Sequence, residues 1–250
     1  MNYLLIPHIS AQNINIAQSP FVYGVPSPPT WMGFADALMR EIGIGYGGVG
    51  ALIHRFEPRA SGSVKVFAQA RHPLKKNGEA GSIIEEAKGH ITASVLIELL
   101  DDRPLPDINL AQLIERKRLA GGFIAPIDRK NRPLVIEDSD PIEAQGHWLT
   151  IAAETFSTLD DWIDNTQGRH EYADGKWRYE KSDLVPLMIG YAALEPPENN
   201  PQSRDPSCPL MRVEALHAAG RWMPHHPRID KQSVLFRRVS DTQSGLFICN

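Results

Sequence analysis

Residues 3–42 read YLLIPHISAQNINIAQSPFVYGVPSPPTWMGFADALMREI, and the fold prediction starts from them. The apolar run at residues 3–9 predicts a buried strand. Polar Gln12, Asn13 and Asn15 follow and predict a loop, and an amphipathic helix begins after a Gly/Pro-rich stretch. Neither a glycine-rich phosphate loop nor a nucleophile elbow lies between strand and helix. The order therefore favours a binding module over a small-molecule enzyme.

The helix has recognisable ends. Thr30 is a residue type that caps helix N-termini, and Pro28 and Pro29 limit helix upstream of it. Gly43 is the predicted C-cap. Between them, apolar residues recur at steps of three and four, which predicts a face packed on the core. These residues are Trp31, Phe34, Ala35, Leu38 and Ile42.

Later patterns predict an α+β fold with a mostly antiparallel sheet. The glycines in residues 45–50 predict a flexible connection. Strands are predicted at residues 51–56, 63–70, 91–99, 184–193, 234–237 and 246–248. Helices are predicted at 148–156 and at 159–163, whereas 211–222 fits strand or helix. A further helix is predicted from a cap at Asp107 to a basic end at residues 116–118, before Gly121 and Gly122. Residues 123–127 and 133–136 predict a hairpin, and 195–208 a surface loop. The first β-α-β-β suits half of a ferredoxin-like fold with insertions.

The composition is that of a globular protein, predicted as one domain over residues 1–250. Hydrophobic residues make up 42% and the net charge is −4, which disfavours a general nucleic-acid coat protein but allows a local basic groove. Cys208 and Cys249 fit no metal spacing, so we expect free thiols in a reducing cytoplasm. The short apolar start does not make a signal peptide. No apolar stretch approaches the roughly 20 residues of a membrane span, so no membrane role is expected.

We find no motif for catalysis or for a cofactor. The chain lacks P-loop, HExxH and paired CxxC patterns. His225 and His226 are adjacent, and in a strand they would point to opposite faces, which favours packing or surface roles over one shared metal. The sequence therefore predicts no catalytic residue, no metal and no cofactor.

Basic residues cluster in an otherwise acidic protein. Residues 103–132 hold seven Lys or Arg and three Asp or Glu, and Arg71, Lys75 and Lys76 form a second cluster beside a turn. Such asymmetry suits a groove that follows phosphates, although a solvated face is the commoner meaning of a charge run. Amides of the polar loop after the first strand can read base edges, and the nearby aromatic residues Phe21 and Tyr23 can stack on unpaired bases.

Four blocks of the chain resemble a known family. In order, they are residues 4–38 (LLIPHISAQNINIAQSPFVYGVPSPPTWMGFADAL), residues 48–58 with 70–99 (GVGALIHRFEP and ARHPLKKNGEAGSIIEEAKGHITASVLIEL), residues 118–124 (RLAGGFI), and residues 184–195 with 204–222 (LVPLMIGYAALE and RDPSCPLMRVEALHAAGRW). They resemble the Csy-type second subunit of type I-F CRISPR surveillance (Cascade) complexes, which belongs to the Cas-five group of RAMP proteins.

The resemblance implies a non-catalytic RNA-binding subunit for antiviral defence, with an RRM-like (ferredoxin-like) core and a protruding thumb. Such subunits hold the 5′ handle of the CRISPR RNA, pair with the large subunit and contact the Cas-seven-type backbone. The resemblance places an inserted basic thumb at about residues 101–135. By motif it implies these RNA contacts: Gln12, Asn13 and Asn15; Arg71, Lys75 and Lys76; Arg116, Lys117, Arg118, Gly121 and Gly122; and Arg204.

The chain departs from the family in one respect, because its central and C-terminal connections are short. A reduced variant system that lacks a separate large subunit would explain this. In such systems the Cas-five-type subunit recognises the protospacer-adjacent motif (PAM), so target duplex DNA is a further partner under that alternative.

Two other functions remain open at this point. One is a Cas-five-type, metal-independent endoribonuclease that processes precursor CRISPR RNA, with His54 or His72 and Lys75 or Lys76 as its candidate groups. The other is an interaction protein without a nucleic-acid role, whose basic clusters are solvated faces.

Overall fold

A computed structural model describes residues 1–61, 66–71, 76–79, 83–167, 169–174, 176–180, 182–241 and 245–250. The helices are α1 (Pro28–Ile42), α2 (Leu110–Glu115) and α3 (Leu159–Gln167). The strands are β1 (Asn2–Asn15), β2 (Tyr46–Pro58), β3 (Ala60–Ser61), β4 (Val66–Arg71), β5 (Ile83–Glu86), β6 (Lys88–Leu99), β7 (Arg118–Leu119), β8 (Gly122–Ile124), β9 (Leu134–Glu137), β10 (His147–Ile151), β11 (Arg169–Ala173), β12 (Lys176–Glu180), β13 (Leu184–Ala193), β14 (Val213–Pro224), β15 (Phe236–Asp241) and β16 (Leu246–Cys249). Two 3₁₀ turns lie at Arg129–Asn131 and Lys231–Val234.

Eleven strands join in one antiparallel sheet, in the order β10-β14-β13-β16-β15-β2-β6-β1-β8-β7, with β9 also paired to β1. β2 pairs with β15 at Val49 and with β10 at Leu52. The pairings of β2, β15, β16, β13, β14 and β10 therefore close into a ring. β3, β4 and β5 form a separate sheet between β2 and β6, and β11 and β12 form a hairpin. The predicted α+β class with a mostly antiparallel sheet is confirmed.

β1 is longer than the sequence predicted. Gln12, Asn13 and Asn15 belong to its end, so the predicted polar loop is wrong. Ile14 is fully buried and Ala11 pairs with β6. The buried apolar side of the strand therefore continues through the polar segment. The strand accommodates them with a register shift between Ala11 and Ile14, where Asn13 has a φ of 59°. Asparagine tolerates this left-handed conformation better than most residues.

The prediction of α1 as a core helix is confirmed. Its predicted stripe from Trp31 to Ile42 is buried, and Gly43 ends the helix with a φ of 78°. Thr30 is not the N-cap, however, because the helix begins at Pro28 with Ser27 before it. Proline is tolerated in the first helical turn, where its missing N–H has no helical partner to lose.

The predicted glycine hinge at residues 45–50 is wrong, since most of it is strand β2. These glycines allow close packing instead. A Cβ on Gly47 would lie 2.2 Å from a carboxylate oxygen of Glu98, and one on Gly50 would lie 3.0 Å from the carbonyl oxygen of Val234. Glycine in a strand often marks such a close approach.

Three further predictions are corrected. The predicted helix 148–156 is wrong, because His147–Ile151 forms β10 between β14 and β2. The predicted hairpin of 123–127 with 133–136 is also wrong, because β8 and β9 each pair with β1. α2 is capped by Asn109, whose side chain accepts from the N–H of Gln112, and not by Asp107. Residues 211–222, for which strand and helix stayed open, lie largely in β14.

Two apolar cores lie on the two sides of the central strands. Residues of α1 and α2 pack with one face of β1, β2 and β6 in the larger core. The smaller core lies on the other face, where Tyr3 and Leu96 pack against Trp148 and Val234. This second core covers only part of its face, and the uncovered part forms the candidate site.

Candidate nucleic-acid interface

The register of the central strands identifies a polar surface opposite α1 and α2. Ala11 pairs with Ile91, and both are buried in the larger core on the helix side. Neighbouring residues along a strand point to opposite faces. Ser10 and its partner Thr92 therefore point away from the helices, and Arg55 pairs with Thr92 from the other side.

We call this surface the polar sheet face. It consists of Ser10 and Gln12 on β1, His90 and Thr92 on β6, Arg55 and Glu57 on β2, Phe123 on β8 and Arg118 on β7. An open cavity of about 350 Å³ lies along it. The members of the face on β1, β2 and β6 line this cavity, and Ile91 of β6 lines it as well. Arg55 forms an ion pair with Glu57, while its own side chain remains 71% exposed. One cation of the face is thus partly neutralised but accessible to a ligand.

The end of β1 meets the β7–β8 turn at this surface. Gln12 pairs with Phe123, which pairs in turn with Arg118. The main-chain N–H of Asn15 donates to the carbonyl of Ala120 at 2.8 Å. A Cβ on Gly122 would lie 2.5 Å from the carbonyl oxygen of Gln12, so glycine is required for this approach.

The turn between β7 and β8 has a fixed conformation. Its central residues Ala120 and Gly121 have φ values of 49° and 76°. Two positive φ values in a two-residue hairpin loop are typical of a type I′ turn, which matches the twist of the paired strands. Gly121 and Gly122 thus serve the geometry of the turn and its contact with β1.

The two asparagines at the end of β1 already have partners. The side-chain oxygen of Asn13 accepts from Arg59 at 3.1 Å, and its main-chain N–H donates to His90 Nδ1 at 3.3 Å. The Asn15 side chain exchanges two hydrogen bonds with the backbone of Ala17. Arg59 therefore borders the polar sheet face, and Gln12 is the predicted amide that faces its cavity.

The basic cluster 116–118 is divided by the fold. Arg118 lies on the polar sheet face, but Arg116 and Lys117 lie beside Glu41 near the end of α1. The hydrogen bond from Lys117 is the largest cause that holds the pKa of Glu41 below its usual value. Lys117 is only 16% exposed, so it serves packing between α1 and the segment after α2.

The remaining predicted contacts belong to none of the strands that form this surface. Arg71 is the last residue of β4, and Lys76 is exposed in the connection from β4 to β5. Arg204 is exposed in the connection from β13 to β14. Lys75 lies outside the described residues, and so does His72.

His54, a candidate of the nuclease alternative, is held in a network. Its Nδ1–H donates to the carbonyl of Gln145, and its Nε2 accepts from the hydroxyl of Ser94 at 2.7 Å. The Ser94 hydroxyl oxygen also accepts from the main-chain N–H of His8. The His8 ring stacks on the His54 ring, with centroids 4.0 Å apart. Burial is the largest cause that lowers the pKa of His54, so the ring is neutral near pH 7 with both nitrogens engaged.

Histidines 217 and 225 also have packing partners. His225 Nδ1 accepts from Trp148 Nε1 at 2.9 Å, and its Nε2 donates to the carbonyl of Ile142. His217 contacts Phe21 and the hydroxyl of Ser19. The exposed ring of Phe21 thus lies at β14 and not at the end of β1.

Sequence reasoning missed Arg55, Arg59, His90 and Phe123 as members of this site. Alternation is the signal for His90 and Phe123, which each lie between two buried residues of a strand, whereas Arg55 and Arg59 have no such signal. Reading it requires the strand partners, which the sequence does not display.

No group of three or more His, Cys, Asp or Glu residues in the described ranges is placed to hold a metal ion. Within the same part of the chain, none of the helices has the length and apolar character of a membrane span.

Comparison with known proteins adds a relationship over nearly the whole chain. A family model described as CRISPR-associated protein (Cas_Csy2) matches residues 4–149 and 134–249. The CRISPR-associated protein Csy2 of Pseudomonas aeruginosa (strain UCBPP-PA14) is 29% identical over 305 residues, covering 98% of this chain and 93% of that protein. The aligned region is longer than the 250-residue chain. That relative therefore carries insertions relative to this chain.

Proposed function

The chain belongs to the Csy2 family of CRISPR-associated proteins, and from this premise we propose that it is a non-catalytic, RNA-binding subunit of a type I-F CRISPR effector complex. In this proposal it holds the 5′ handle of the CRISPR RNA in the cytoplasm. It contacts the large subunit and the Cas-seven-type backbone. A handle is single-stranded, so its bases can stack and be read while cations hold its phosphates.

The strand order supports a ferredoxin-like core for this role. Elements β1, α1, β2, β6, α2 and β8 follow one another in the chain, apart from the β3–β5 excursion and β7. In the sheet the four strands lie in the order β2-β6-β1-β8. From this order we infer a core of the ferredoxin-like β-α-β-β-α-β kind. RRM domains share it and bind single-stranded RNA on their four-stranded sheet.

One observation carries the proposal: the uncovered sheet face of a CRISPR-associated protein is basic and amide-bearing although the whole chain is acidic. Arg55, Arg59 and Arg118 lie on or beside it, with Gln12 among them. Residues 101–135, where the resemblance implies the thumb, include α2 and β8 of this core. In this proposal the range therefore contributes Arg118 and the glycine turn to the sheet surface instead of an inserted thumb.

Co-purification tests the assembly role. The chain, expressed with its neighbouring operon products and a CRISPR array, should recover CRISPR RNA with a protected 5′ handle on sequencing. An RNA-free chain under these conditions would refute the proposal.

Charge reversal tests the surface. Arg55→Glu combined with Arg118→Glu should weaken handle binding and reduce the dependence of log Kd on log salt, because two phosphate contacts are lost. Arg40→Glu, on the exposed side of α1, makes the same type of charge change on the helix side and should leave both quantities unchanged. Equal effects from both surfaces would contradict the assignment. Arg116→Glu tests whether the basic cluster is divided between two sides. Because Arg116 lies beside Glu41 of α1, this substitution should weaken handle binding only slightly.

The longer alignment of the Pseudomonas relative supports a second candidate, a PAM reader in a reduced variant system. In that case duplex DNA with a randomised flank should be enriched for a short motif by the assembled complex. Absence of enrichment would refute PAM recognition and leave RNA binding as the proposed role.

The endoribonuclease alternative is tested with repeat RNA in the absence of metal. We expect no cleavage, because His54 uses both ring nitrogens within the protein. Cleavage that disappears in His54→Ala would overturn the non-catalytic assignment.

A further inference from the structure

Phe123 stands out on the polar sheet face. It is 43% exposed, whereas Ile124 beside it is 3% exposed and packs in the larger core. A single exposed apolar side chain is ordinary on a protein surface and needs no explanation by itself. What distinguishes Phe123 is the set of groups that the strand register places next to it.

Gln12 and Arg118 flank Phe123 on its two neighbouring strands. Both are exposed and both are direct cross-strand partners of the ring. Directly opposed residues of an antiparallel pair point to the same face, with Cβ atoms about 5 Å apart. A carboxamide, an aromatic ring and a guanidinium therefore form one row across β1, β8 and β7.

These three groups match the parts of one unpaired nucleotide. Aromatic rings stack on bases of any sequence, and a guanidinium binds phosphate. A glutamine amide presents a donor and an acceptor side by side, which is the complement of an adenine edge. The cavity of about 350 Å³ begins at Gln12 and continues to Arg55, so the chain of a ligand has space beyond the row.

The row is also held rigidly. The type I′ turn before β8 sets the register of Phe123 against Arg118, and the close approach of Gly122 to the Gln12 carbonyl sets it against β1. A preorganised surface loses less entropy when a ligand binds. Rigid placement on strands thus favours recognition over incidental exposure.

We propose that Phe123 stacks one unpaired nucleobase, that Gln12 reads its edge with a preference for adenine, and that Arg118 holds an adjoining phosphate. This rests on the proposed RNA-binding function and names the subsite through which it acts.

The test measures binding of the full-length chain to labelled single-stranded octamers, oligo(A) and oligo(U), by fluorescence anisotropy. Phe123→Ala should weaken binding of both by roughly tenfold, in line with the usual value of one base stack. Phe123→Tyr should restore it, since the ring is retained. Gln12→Ala should remove the preference for oligo(A) and leave oligo(U) binding nearly unchanged.

Tyr191→Ala is the matched control. Tyr191 is 38% exposed and lies on β13, which pairs with β14 and β16 and not with the strands of the polar sheet face. We expect it to bind both octamers like the parent chain. Unfolding midpoints of all variants should agree, because the substituted side chains are exposed.

Each outcome is decisive for the subsite. Unchanged binding in Phe123→Ala, or the same loss in Tyr191→Ala, overturns it. The subsite is also overturned if the parent chain binds neither octamer. Co-purification of CRISPR RNA, which does not depend on this side chain alone, still decides the proposed function. Ultraviolet cross-linking that maps to Phe123 by mass spectrometry would support the stack directly.

Discussion

Gly47→Ala separates two interpretations of the glycines at residues 45–50, because they predict opposite signs. In a flexible connection, alanine would restrict the unfolded chain and stabilise the protein by about 0.4–1 kcal/mol. In the structure Gly47 lies in β2, and a Cβ there would be 2.2 Å from Glu98 Oε2. We therefore expect the substitution to destabilise the fold.

The magnitude follows from what Glu98 does. It is 3% exposed, accepts from Arg237 at 2.6 Å and accepts from Gln232 at 3.0 Å. Burial alone would raise the pKa of Glu98, but these hydrogen bonds and the charge of Arg237 hold it below the ordinary value. Hydrogen bonds to a buried charge contribute about 1.5–3 kcal/mol each. Displacing the carboxylate, less the gain in the unfolded state, should cost about 2–4 kcal/mol.

Urea unfolding at neutral pH measures this difference. The control is Gly33→Ala in α1, where a Cβ would meet nothing within 4 Å. That change should stabilise by about 0.5–1 kcal/mol, because alanine is the better helix former. In a Glu98→Ala background the cost of Gly47→Ala should nearly vanish. A Gly47→Ala chain as stable as the parent, or a cost that persists without Glu98, would refute the reasoning.

Three further predictions concern stability. Phe34→Ala should cost about 3–5 kcal/mol, since Phe34 is 3% exposed in the larger core, and should not act specifically on RNA binding; near-normal stability by urea unfolding would contradict this. Lys231→Met should cost about 2–4 kcal/mol, because the buried ammonium donates to the carbonyls of Asp138 at 2.6 Å and Asp140 at 2.7 Å; a change below about 1 kcal/mol in chemical unfolding would be inconsistent with those bonds. Burial lowers the pKa of His54, so the unfolded chain binds more protons and the free energy of unfolding should fall as the pH drops below about 6.5. His54→Gln should reduce the difference in the free energy of unfolding between pH 7.5 and pH 5.5. The same difference in the variant and the parent chain would exclude His54 as its source.

The candidate site was only partly predictable. Amide chemistry and the family resemblance selected Gln12, Gly121 and Gly122, and the fold brings them together at the end of β1. The run Arg116–Arg118 looked like one cluster, but a chain reversal after α2 sends its members to different sides. Arg55 was not selected because nothing local distinguishes it from any other strand arginine.

The sequence by itself determined the elements whose signals are local. The three- and four-residue spacing of α1, its glycine end and the alternation of β6 are properties of the chain's own geometry, so they were readable without a partner. The family relationship was likewise recognisable from the sequence alone.

The tertiary structure alone decided how the strands are joined. Residues 147–151 became a strand because β2 and β14 offer hydrogen-bonding edges on both sides of it. Residues 45–50 were confined because Glu98 and Val234 lie against them. The polar sheet face exists only through the register of five strands. Pairing depends on residues far apart in the chain, and a shift of one position would turn every side chain to the other face.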